Sequence, residues 1–483
     1  MSLRRTKIVA TIGPASSSPE VIEQLILAGL DVARLNFSHG TAAEHKARAE
    51  LIREIAAKHQ RFVALLGDLQ GPKIRIAKFS EKKIELAEGD SFTFSTTHPR
   101  DAGTQEVVCI DYPNLVTDCK VGDELLLDDG RIEMVVESVT ADALHCRVLI
   151  GGPLSDHKGI NRRGGGLTAP ALTDKDKQDI RLAAELELDY LAVSFPRDAA
   201  DMQLARRLRD EAGSNAWLVA KIERAEAVTN DEALNGLIAA SDAVMVARGD
   251  LGVEIGDAEL VGIQKKIIAA ARHQNKAVIT ATQMMESMIT SPMPTRAEVS
   301  DVANAALDYT DAVMLSAETA AGDYPVEAVK AMDRVCRGAE KNPIMRQSMH
   351  RIGQQFERWD ESIALAAMYT ANHFPGVKAI IALTESGYTP LVMSRIRSSM
   401  PIYAFAPTRE TQARVALFRG VYTVPFDPSS MPNEKVSQAA VDELIKRGAV
   451  EKGDWVILTK GDSYHTVGGT NTMKLLRVGD HLA

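Results

Sequence analysis

Short apolar runs alternate with longer amphipathic segments along most of the chain. The amphipathic segments, such as Asp176–Leu188 and Glu259–Asn275, have the apolar spacing of helices that cover one face of a sheet. Eight such strand–helix units predict a (β/α)8 barrel, an α/β fold also called a TIM barrel. The predicted strands are Lys7–Thr11, Asp31–Phe37, Phe62–Leu66, Tyr190–Phe195, Trp217–Glu223, Ala243–Ala247, Ala277–Thr282 and Ala312–Ser316.

The alternation is interrupted after the third strand. Residues 71–167 contain hairpin-like runs and the turn pairs Glu88-Gly89 and Asp129-Gly130, which predict an inserted all-β domain. The run Gly164-Gly165-Gly166 predicts a flexible joint back to the barrel, so we expect a lid over the barrel mouth. The hairpin-like runs are Lys83–Leu86, Ser91–Ser95, Glu124–Leu127, Arg131–Val139 and Ala143–Leu149.

A second α/β alternation follows the predicted helix Val326–Glu340. We therefore predict three domains: a barrel of residues 1–70 plus 168–341, a lid of residues 71–167 and a C-terminal α/β domain of residues 342–483. The four strands predicted in the last domain are Lys378–Leu383, Ile402–Ala406, Val421–Pro425 and Trp455–Thr459.

Composition narrows the class of protein. The chain has 483 residues with 45% hydrophobic and 25% charged, as in ordinary globular proteins. A net charge of −9 argues against a nucleic-acid partner. The first residues are too briefly apolar for a signal peptide or membrane span, so we expect a cytoplasmic protein without a membrane partner. The four cysteines show neither CxxC pairs nor zinc spacing.

Polar residues cluster at the carboxyl ends of the predicted strands, where barrels of this kind hold their active sites. Arg34, Asn36 and Ser38 alternate, which predicts that all three share one face of the second strand. Each residue alone could cap a helix or satisfy a strand end, but charged groups on several strands together predict a catalytic site. The others are Asp68, Lys221, Glu223, Arg248-Gly249-Asp250, Thr280, Thr282, Ser316 and Glu318.

These residue types fit a particular substrate chemistry. Glu223 and Asp250 offer two hard oxygen ligands, which suit Mg²⁺, with Mn²⁺ as an alternative. Backbone N–H groups near Gly249 could hold a carboxylate, and Arg34 and Lys221 suit a phosphate. The sequence therefore predicts a substrate with both a carboxylate and a phosphate.

Several strings closely resemble pyruvate kinase over the whole length of the chain. They are Arg34-Leu-Asn-Phe-Ser-His-Gly40, Lys221-Ile-Glu223, Met245-Val-Ala-Arg-Gly-Asp-Leu-Gly-Val-Glu-Ile255, Ala281-Thr-Gln-Met-Met-Glu-Ser287, Ala317-Glu-Thr319 and Gly322-Asp-Tyr-Pro325. The resemblance implies phosphoryl transfer from phosphoenolpyruvate to ADP, which yields pyruvate and ATP in the last step of glycolysis.

The resemblance also implies individual roles. Lys221 would stabilise the transferring phosphoryl group, Arg34 would clamp the phosphate, and Glu223 with Asp250 would hold Mg²⁺. Gly249, Asp250 and Thr282 would bind the carboxylate, and Thr282 would lie on the proton route. The positions that match nucleotide-binding residues are Asn36, Phe37, Ser38, His39, Arg75 and Lys158.

One position departs from the common family pattern. Most members need K⁺, held at positions that match Asn36, Ser38, Asp68 and the carbonyl of Leu69. Lys73 stands where those members have glutamate, and this exchange adds two positive charges beside the cation pocket. We therefore predict activity without K⁺, against the alternative that Lys73 is a solvated loop residue.

The resemblance extends to regulation and assembly. The loop after Lys378–Leu383 matches the sugar-phosphate effector site of the family, so we predict a phosphorylated allosteric effector such as a sugar phosphate or AMP. A plain strand–helix turn would look similar. The family is usually a homotetramer. The loop residues implied are Thr384, Glu385, Ser386, Gly387 and Thr389.

Two other functions fit parts of the pattern. A barrel aldolase or mutase that handles an enolate with Mg²⁺ would explain Glu223 and Asp250, but not the lid or the nucleotide-type positions. A catalytically silent sugar-phosphate sensor would explain the C-terminal domain, but not the intact set of Arg34, Lys221 and Thr282. Turnover that depends on a nucleotide would separate the three.

Overall fold

A computed structural model describes residues 3–346, 353–462 and 468–480. The chain begins with three parallel strands separated by two helices. Ser18 caps α1 by accepting the N–H of Val21, and Gly29 ends the helix with a φ of 114°. These elements are β1 (Lys7–Thr11), α1 (Pro19–Ala28), β2 (Val32–Asn36), α2 (Ala42–Lys58) and β3 (Ala64–Asp68).

A unit built mainly of strands follows β3, where the sequence predicts an all-β insertion, and it also contains one short helix. A six-stranded sheet in the order β11-β7-β8-β9-β5-β6 and the pair β10-β4 enclose a separate apolar core around Phe92 and Phe94. The elements are β4 (Lys83–Leu86), β5 (Ser91–Ser95), β6 (Val107–Cys109), α3 (Leu115–Asp118), β7 (Glu124–Leu127), β8 (Ile132–Val139), β9 (Ala143–Ile150), β10 (Gly152–Ser155) and β11 (Ile160–Arg162).

The chain then supplies the remaining strands of the first sheet and the helices that cover them. Thr173 and Thr295 begin α4 and α9 with reciprocal caps to Asp176 and Glu298. The elements are α4 (Asp174–Glu185), β12 (Tyr190–Val193), α5 (Ala199–Glu211), β13 (Trp217–Ile222), α6 (Asp231–Ala240), β14 (Ala243–Ala247), α7 (Arg248–Ile255), α8 (Asp257–His273), β15 (Ala277–Ala281), α9 (Arg296–Leu307), β16 (Ala312–Leu315), α10 (Ala317–Ala320) and α11 (Pro325–Ala339).

Eight parallel strands close into a barrel in the order β1-β16-β15-β14-β13-β12-β3-β2, which confirms the predicted fold class. Side chains that point outward, such as Ile8 and Leu35, pack under the helices. Side chains that point inward, such as Val9 and Tyr190, continue into the core of the C-terminal domain. The hydroxyl of Tyr190 donates to the carbonyl of Arg414, 2.6 Å away, so that domain covers the amino end of the barrel.

The C-terminal domain is a five-stranded sheet in the order β19-β18-β17-β20-β21. The sequence predicted only four strands, and this prediction was wrong by one. The missed strand, β21, pairs antiparallel with β20 at the sheet edge. The elements are α12 (Trp359–His373), β17 (Val377–Leu383), α13 (Tyr388–Ser394), β18 (Ile402–Ala406), α14 (Arg409–Val415), β19 (Val421–Pro425), α15 (Asn433–Lys446), β20 (Trp455–Gly461) and β21 (Thr470–Arg477).

Two further differences lie near the barrel mouth. The third strand extends to Asp68 instead of ending at Leu66, and β2 ends at Asn36, which leaves Ser38 in a turn. The predicted sharing of one strand face therefore holds for Arg34 and Asn36 but not for Ser38. Within the described ranges, no helix is long and apolar enough to cross a membrane.

Candidate active site

The predicted site residues meet at the carboxyl ends of neighbouring barrel strands. Strand register places Asn36 beside Asp68 and Ala247 beside Ala281. Lys221 lies on β13, where it is paired with Met245 of β14, and β12 is the neighbour of β13 on the other side. Because the insertion leaves the barrel after β3, it also begins at this end.

The ammonium group of Lys221 is held by three oxygen atoms. Its Nζ lies 2.9 Å from Glu223 Oε1 and 3.3 Å from Asp68 Oδ1, and it donates to Ser194 Oγ at 2.7 Å. Burial alone would lower the pKa of Lys221, but the charges of Asp68 and Glu223 outweigh burial and hold this pKa above its usual value. Lys221 is therefore a fixed positive charge in the barrel mouth.

Glu223 and Asp250 are two carboxylates that repel each other electrostatically. Glu223 is 2% exposed, and its Oε2 accepts the N–H of Phe195 at 2.8 Å. Burial, together with the negative charges of Asp250 and Asp68, raises the pKa of Glu223 to about 7 despite the opposing effect of Lys221. Such repulsion is relieved by a divalent cation, so the donor set fits Mg²⁺.

The metal would need ligands from elsewhere. In the described part of the chain, no three His, Cys, Asp or Glu side chains are grouped closely enough to hold a metal ion. Two carboxylates with the remaining positions left to water and substrate is the usual arrangement for Mg²⁺.

Arg34 points toward the same mouth from β2. Its Nε donates to Asp68 Oδ2 at 2.7 Å and its Nη1 donates to Thr11 Oγ1 at 2.8 Å. Burial favours the neutral form of Asp68, yet the charges of Lys221 and Arg34 keep the pKa of Asp68 below its usual value. A buried carboxylate thus holds two cations side by side, where they can meet one anionic group.

A turn after β15 places Thr282 next to α7. The hydroxyl of Thr282 accepts the N–H of Gly249 at 2.8 Å and donates to the carbonyl of Ala281 at 2.7 Å. The sequence predicted N–H groups in this turn for a carboxylate, and that of Gly249 is occupied by Thr282. A carboxylate at this point would have to displace the hydroxyl or use the next N–H groups at the start of α7.

The turn residues after β2 have mixed positions. Ser38 donates its N–H to Asn36 Oδ1 at 3.1 Å, which fixes the turn. Phe37 is 2% exposed and its ring packs edge-on against His45, so its side chain belongs to the core. The carbonyl of His39 accepts a hydrogen bond from the ring of His45. The backbone of Phe37 is engaged as well, because its N–H donates to the carbonyl of Asp68 at 3.0 Å and its carbonyl accepts from Lys175 Nζ at 2.7 Å.

The insertion brings Arg75 and Lys158 close together, because residues 75 and 159 form a β-bridge. Arg75 donates to the carbonyl of His157 at 2.9 Å, and the Nζ of Lys158 lies 2.6 Å from Asp128. Each of these two cations is therefore held by an acceptor within the insertion.

Lys73 reaches from the start of the insertion to α7. Its Nζ lies 3.0 Å from Asp250 Oδ1 and 3.8 Å from Asp129 Oδ1. Burial lowers the pKa of Lys73, but the charges of these two carboxylates outweigh burial, so the pKa lies above its usual value. Lys73 is thus paired with a predicted magnesium ligand and is not a solvated loop residue.

Two residues missed at the level of sequence support the site. Ser194 receives a hydrogen bond from Lys221 and donates to the carbonyl of Leu69 at 2.7 Å. Glu254 accepts from the N–H of Ala225 at 2.8 Å and from the amide of Asn161 at 3.3 Å, so it joins α7 to the insertion. Neither residue belongs to a recognisable sequence motif. Both act through contacts with residues that are distant in the sequence.

The predicted effector loop borders a pocket in the C-terminal domain. Thr384, Glu385, Ser386 and Thr389 line it together with Lys460. Gly387 adopts a φ of 82° and donates its N–H to Thr384 Oγ1 at 2.9 Å, which shapes the turn before α13. The pocket therefore combines a hydroxyl-rich turn with one lysine.

The fold and the site together define a class of protein. It is a barrel enzyme whose mouth combines two cations that suit an anionic substrate with two carboxylates. Comparisons with known proteins agree. Residues 3–329 match the model of the pyruvate kinase barrel domain, and residues 361–476 match that of the pyruvate kinase alpha/beta domain. The chain belongs to the pyruvate kinase family, whose members are phosphotransferases.

Relatives cover the chain almost completely. Pyruvate kinase II of Salmonella typhimurium is 56% identical over 476 residues, 99% of each chain. A pyruvate kinase of Haemophilus influenzae is 55% identical over 459 residues, 95% of this chain and 96% of the relative. A pyruvate kinase of Mycobacterium tuberculosis is 39% identical over 477 residues, 99% of each chain.

Proposed function

We propose that this protein transfers the phosphoryl group of phosphoenolpyruvate to ADP and releases pyruvate and ATP. The observation that carries the proposal is the position of Lys221, a buried ammonium between Asp68 and Glu223 with Arg34 on the other side of Asp68. Two fixed cations beside two potential magnesium ligands suit a phosphoryl group that gains charge during transfer. An enolate aldolase or mutase would not need the cations of the insertion.

Each residue has a defined task in this proposal. Arg34 and Lys221 hold the phosphoryl oxygens while the bond to the enol oxygen breaks and an oxygen of ADP attacks. Mg²⁺ held by Glu223 and Asp250 would neutralise negative charge on the bound substrate. Thr282, with the start of α7, would hold the carboxylate and lie on the route by which a proton reaches the enolate carbon.

The insertion would supply the nucleotide side of the site. Arg75 and Lys158 would supply positive charge from the insertion, and Asn36, Ser38 and His39 would complete the nucleotide site from the barrel side. Exclusion of water by this lid would strengthen the ionic contacts and prevent loss of the phosphoryl group to hydrolysis.

We also propose that Lys73 replaces a monovalent cation. Asp68 is already balanced by Lys221 and Arg34, and Asp250 is paired with Lys73, so both carboxylates have protein cations beside them. The Leu69 carbonyl, predicted to face the cation pocket, accepts from Ser194. A K⁺ ion would enter an environment in which these carboxylates already have counter-charges.

The first experiment measures pyruvate formation from phosphoenolpyruvate, ADP and Mg²⁺ in buffers that contain K⁺ or only tetramethylammonium. We expect equal turnover in both. Lys73→Glu removes the protein cation, so we expect its turnover in K⁺ to exceed its turnover in tetramethylammonium at least ~10-fold. A lost ionic contact of about 1.4 kcal/mol corresponds to that factor.

The control for this experiment is Lys83→Glu, which makes the same charge change at an exposed position of the insertion and should leave the K⁺ response flat. Turnover of the unmodified protein only with K⁺ would refute the role of Lys73 and keep the kinase. No turnover in either buffer, with effectors added, would refute the kinase.

We further propose that the pocket beside residues 384–389 binds a phosphorylated effector. Hydroxyls, a helix start and Lys460 suit a phosphate group. Ser386→Glu introduces a negative charge, so we expect it to weaken activation by a sugar phosphate or AMP at least ~10-fold. The measurement is the effector concentration that halves the phosphoenolpyruvate needed for half-saturation.

Ser362→Glu, on the exposed side of α12, is the matched control and should respond like the unmodified protein. If neither a hexose phosphate, a pentose phosphate nor AMP changes half-saturation in the unmodified protein, the loop is a plain strand–helix turn.

A homotetramer is part of the same proposal. Several large apolar side chains are exposed on the barrel and the C-terminal domain, including Val261, Met293 and Trp359. A sedimentation-equilibrium mass of one chain, 52.4 kDa, would contradict it.

A further inference from the structure

We propose that Arg248 is a positioning residue that holds the turn of Thr282 in its working conformation. The inference rests on the proposed role of Thr282 in carboxylate binding and proton delivery. The side chain of Arg248 points away from the substrate position and into the protein, where it is 6% exposed. It acts through the backbone of another strand end.

The turn that Arg248 contacts has an unfavourable backbone. Thr282 and Gln283 have φ values of 66° and 53°, and neither is glycine. Left-handed backbone is uncommon outside glycine, asparagine and aspartate, and it is least favourable for β-branched residues such as threonine. Two such residues in succession persist only when their surroundings hold them in place.

The guanidinium of Arg248 supplies that support. Its Nη2 donates to the carbonyls of Thr282 at 2.7 Å and Gln283 at 3.0 Å, and its Nε donates to the carbonyl of Thr282 at 3.1 Å. A weaker contact joins Nε to the carbonyl of Ala281 at 3.3 Å. The planar fork therefore contacts three successive carbonyls, a pattern that a lysine ammonium cannot reproduce.

The other side of the guanidinium is anchored to a neighbouring helix. Its Nη1 donates to both carboxylate oxygens of Asp301 on α9, at 2.7 and 2.9 Å, and lies 3.5 Å from the amide oxygen of Gln264. The ion pair fixes the orientation of Arg248, so the guanidinium cannot rotate away from the turn without loss of a charge-assisted contact.

The residue that follows Arg248 completes the arrangement. The N–H of Gly249 fixes the hydroxyl of Thr282, while Arg248 fixes its carbonyl. Two adjacent residues of one segment thus hold opposite sides of a single residue on another. Loss of Arg248 would release the turn and move the hydroxyl, and a displacement of about 1 Å at a reacting group can cost ~10²-fold in rate.

A double-mutant cycle tests this inference. Arg248→Met and Thr282→Ala are measured separately and together for kcat and for the KM of phosphoenolpyruvate and of ADP. We expect Arg248→Met to lower kcat about 10²-fold with little change in the KM of ADP. In the Thr282→Ala background, Arg248→Met should lower kcat less than about 3-fold, because the hydroxyl that Arg248 positions is absent.

Equal costs in both backgrounds would overturn the inference, since a general loss of stability affects both alike. Normal kcat in Arg248→Met would also overturn it. If Arg248→Met does not fold, the cycle is run with Arg248→Lys, which keeps the charge beside Asp301, and the same two outcomes apply. No activity in the unmodified protein is a separate result and refutes the proposed function itself.

Arg206→Met is the matched control. Arg206 donates to the carbonyl of Ala240 at 3.0 Å and to Asp242 at 3.1 Å, so it makes the same kinds of contact at the amino end of β14. We expect its kcat to equal that of the unmodified protein. A comparable fall in this variant would mean that loss of any such arginine disturbs the barrel, which would overturn the specific role of Arg248.

Discussion

Lys221→Met is expected to lower kcat at least ~10²-fold while the KM of phosphoenolpyruvate changes much less. The ammonium of Lys221 is preorganised by Asp68, Glu223 and Ser194, so it interacts most strongly with charge that develops as the phosphoryl group moves. Loss of one such group removes stabilisation of the transition state more than binding of the substrate.

Steady-state kinetics with saturating Mg²⁺ and ADP measures this effect. Lys276→Met is the control, since Lys276 is a part-buried lysine that donates to the carbonyl of Ser241 at the opposite end of the barrel. Turnover within a few-fold of normal in Lys221→Met would refute the role of Lys221. An equal fall in both variants would point to general damage to the barrel.

Arg395→Met is expected to reduce the free energy of unfolding by about 3–5 kcal/mol. Arg395 and Asp311 form an ion pair between the C-terminal domain and the amino end of β16, and they are 1% and 0% exposed. Nη1 of Arg395 also donates to the carbonyl of Lys276 at 2.8 Å. Removal of the guanidinium leaves a carboxylate buried without its counter-charge.

A second substitution separates charge from packing. The N–H groups of Val278 and Arg419 donate to different carboxylate oxygens of Asp311. Asp311→Asn in the Arg395→Met background keeps an acceptor for one of them and removes the charge, and since a buried charge without its partner costs more than one lost hydrogen bond, the double variant should be the more stable of the two. Urea denaturation provides the measurement. The exposed pair of Arg447 and Glu443 is the control, and Arg447→Met should cost less than about 1 kcal/mol.

The barrel could be predicted from the sequence because its strands are short apolar runs at regular intervals, and such runs have few alternatives in a soluble chain. The ends of elements were harder to predict. Leu66 was expected to end the third strand, yet Gly67 and Asp68 continue it because neighbouring strands pair with them. Helix α7 was missed because Gly249 and Gly252 lower its helix propensity, and its position at the barrel mouth overrides that preference.

The missed fifth strand of the C-terminal domain has a related cause. β21 lies at a sheet edge with mostly half-buried residues, so its sequence lacks the continuous apolar run of the central strands. Its backbone pairs with β20, which lies next to it in the sheet. Edge strands of this type depend on a partner that a local pattern does not reveal.

Within the site, residue types could be predicted but contacts could not. The spacing of Lys221 and Glu223 along one strand predicts that both point into the mouth, and their 2.9 Å contact agrees. The contacts of Ser194 with Lys221 and of Arg248 with the turn of Thr282 depend on backbone angles after the strands end. Those angles include left-handed values at non-glycine residues, which no residue type signals.

The ion pair of Arg395 also connects the C-terminal domain to the strands that lead to the active site. Arg395 follows α13, the helix after the loop of residues 384–389, and it contacts the residues that precede β15 and β16. Strand β15 has five residues, spans about 17 Å and ends beside Thr282. We therefore expect Arg395→Met to alter half-saturation by phosphoenolpyruvate as well as stability, because the substitution removes a contact between the C-terminal domain and the start of this strand.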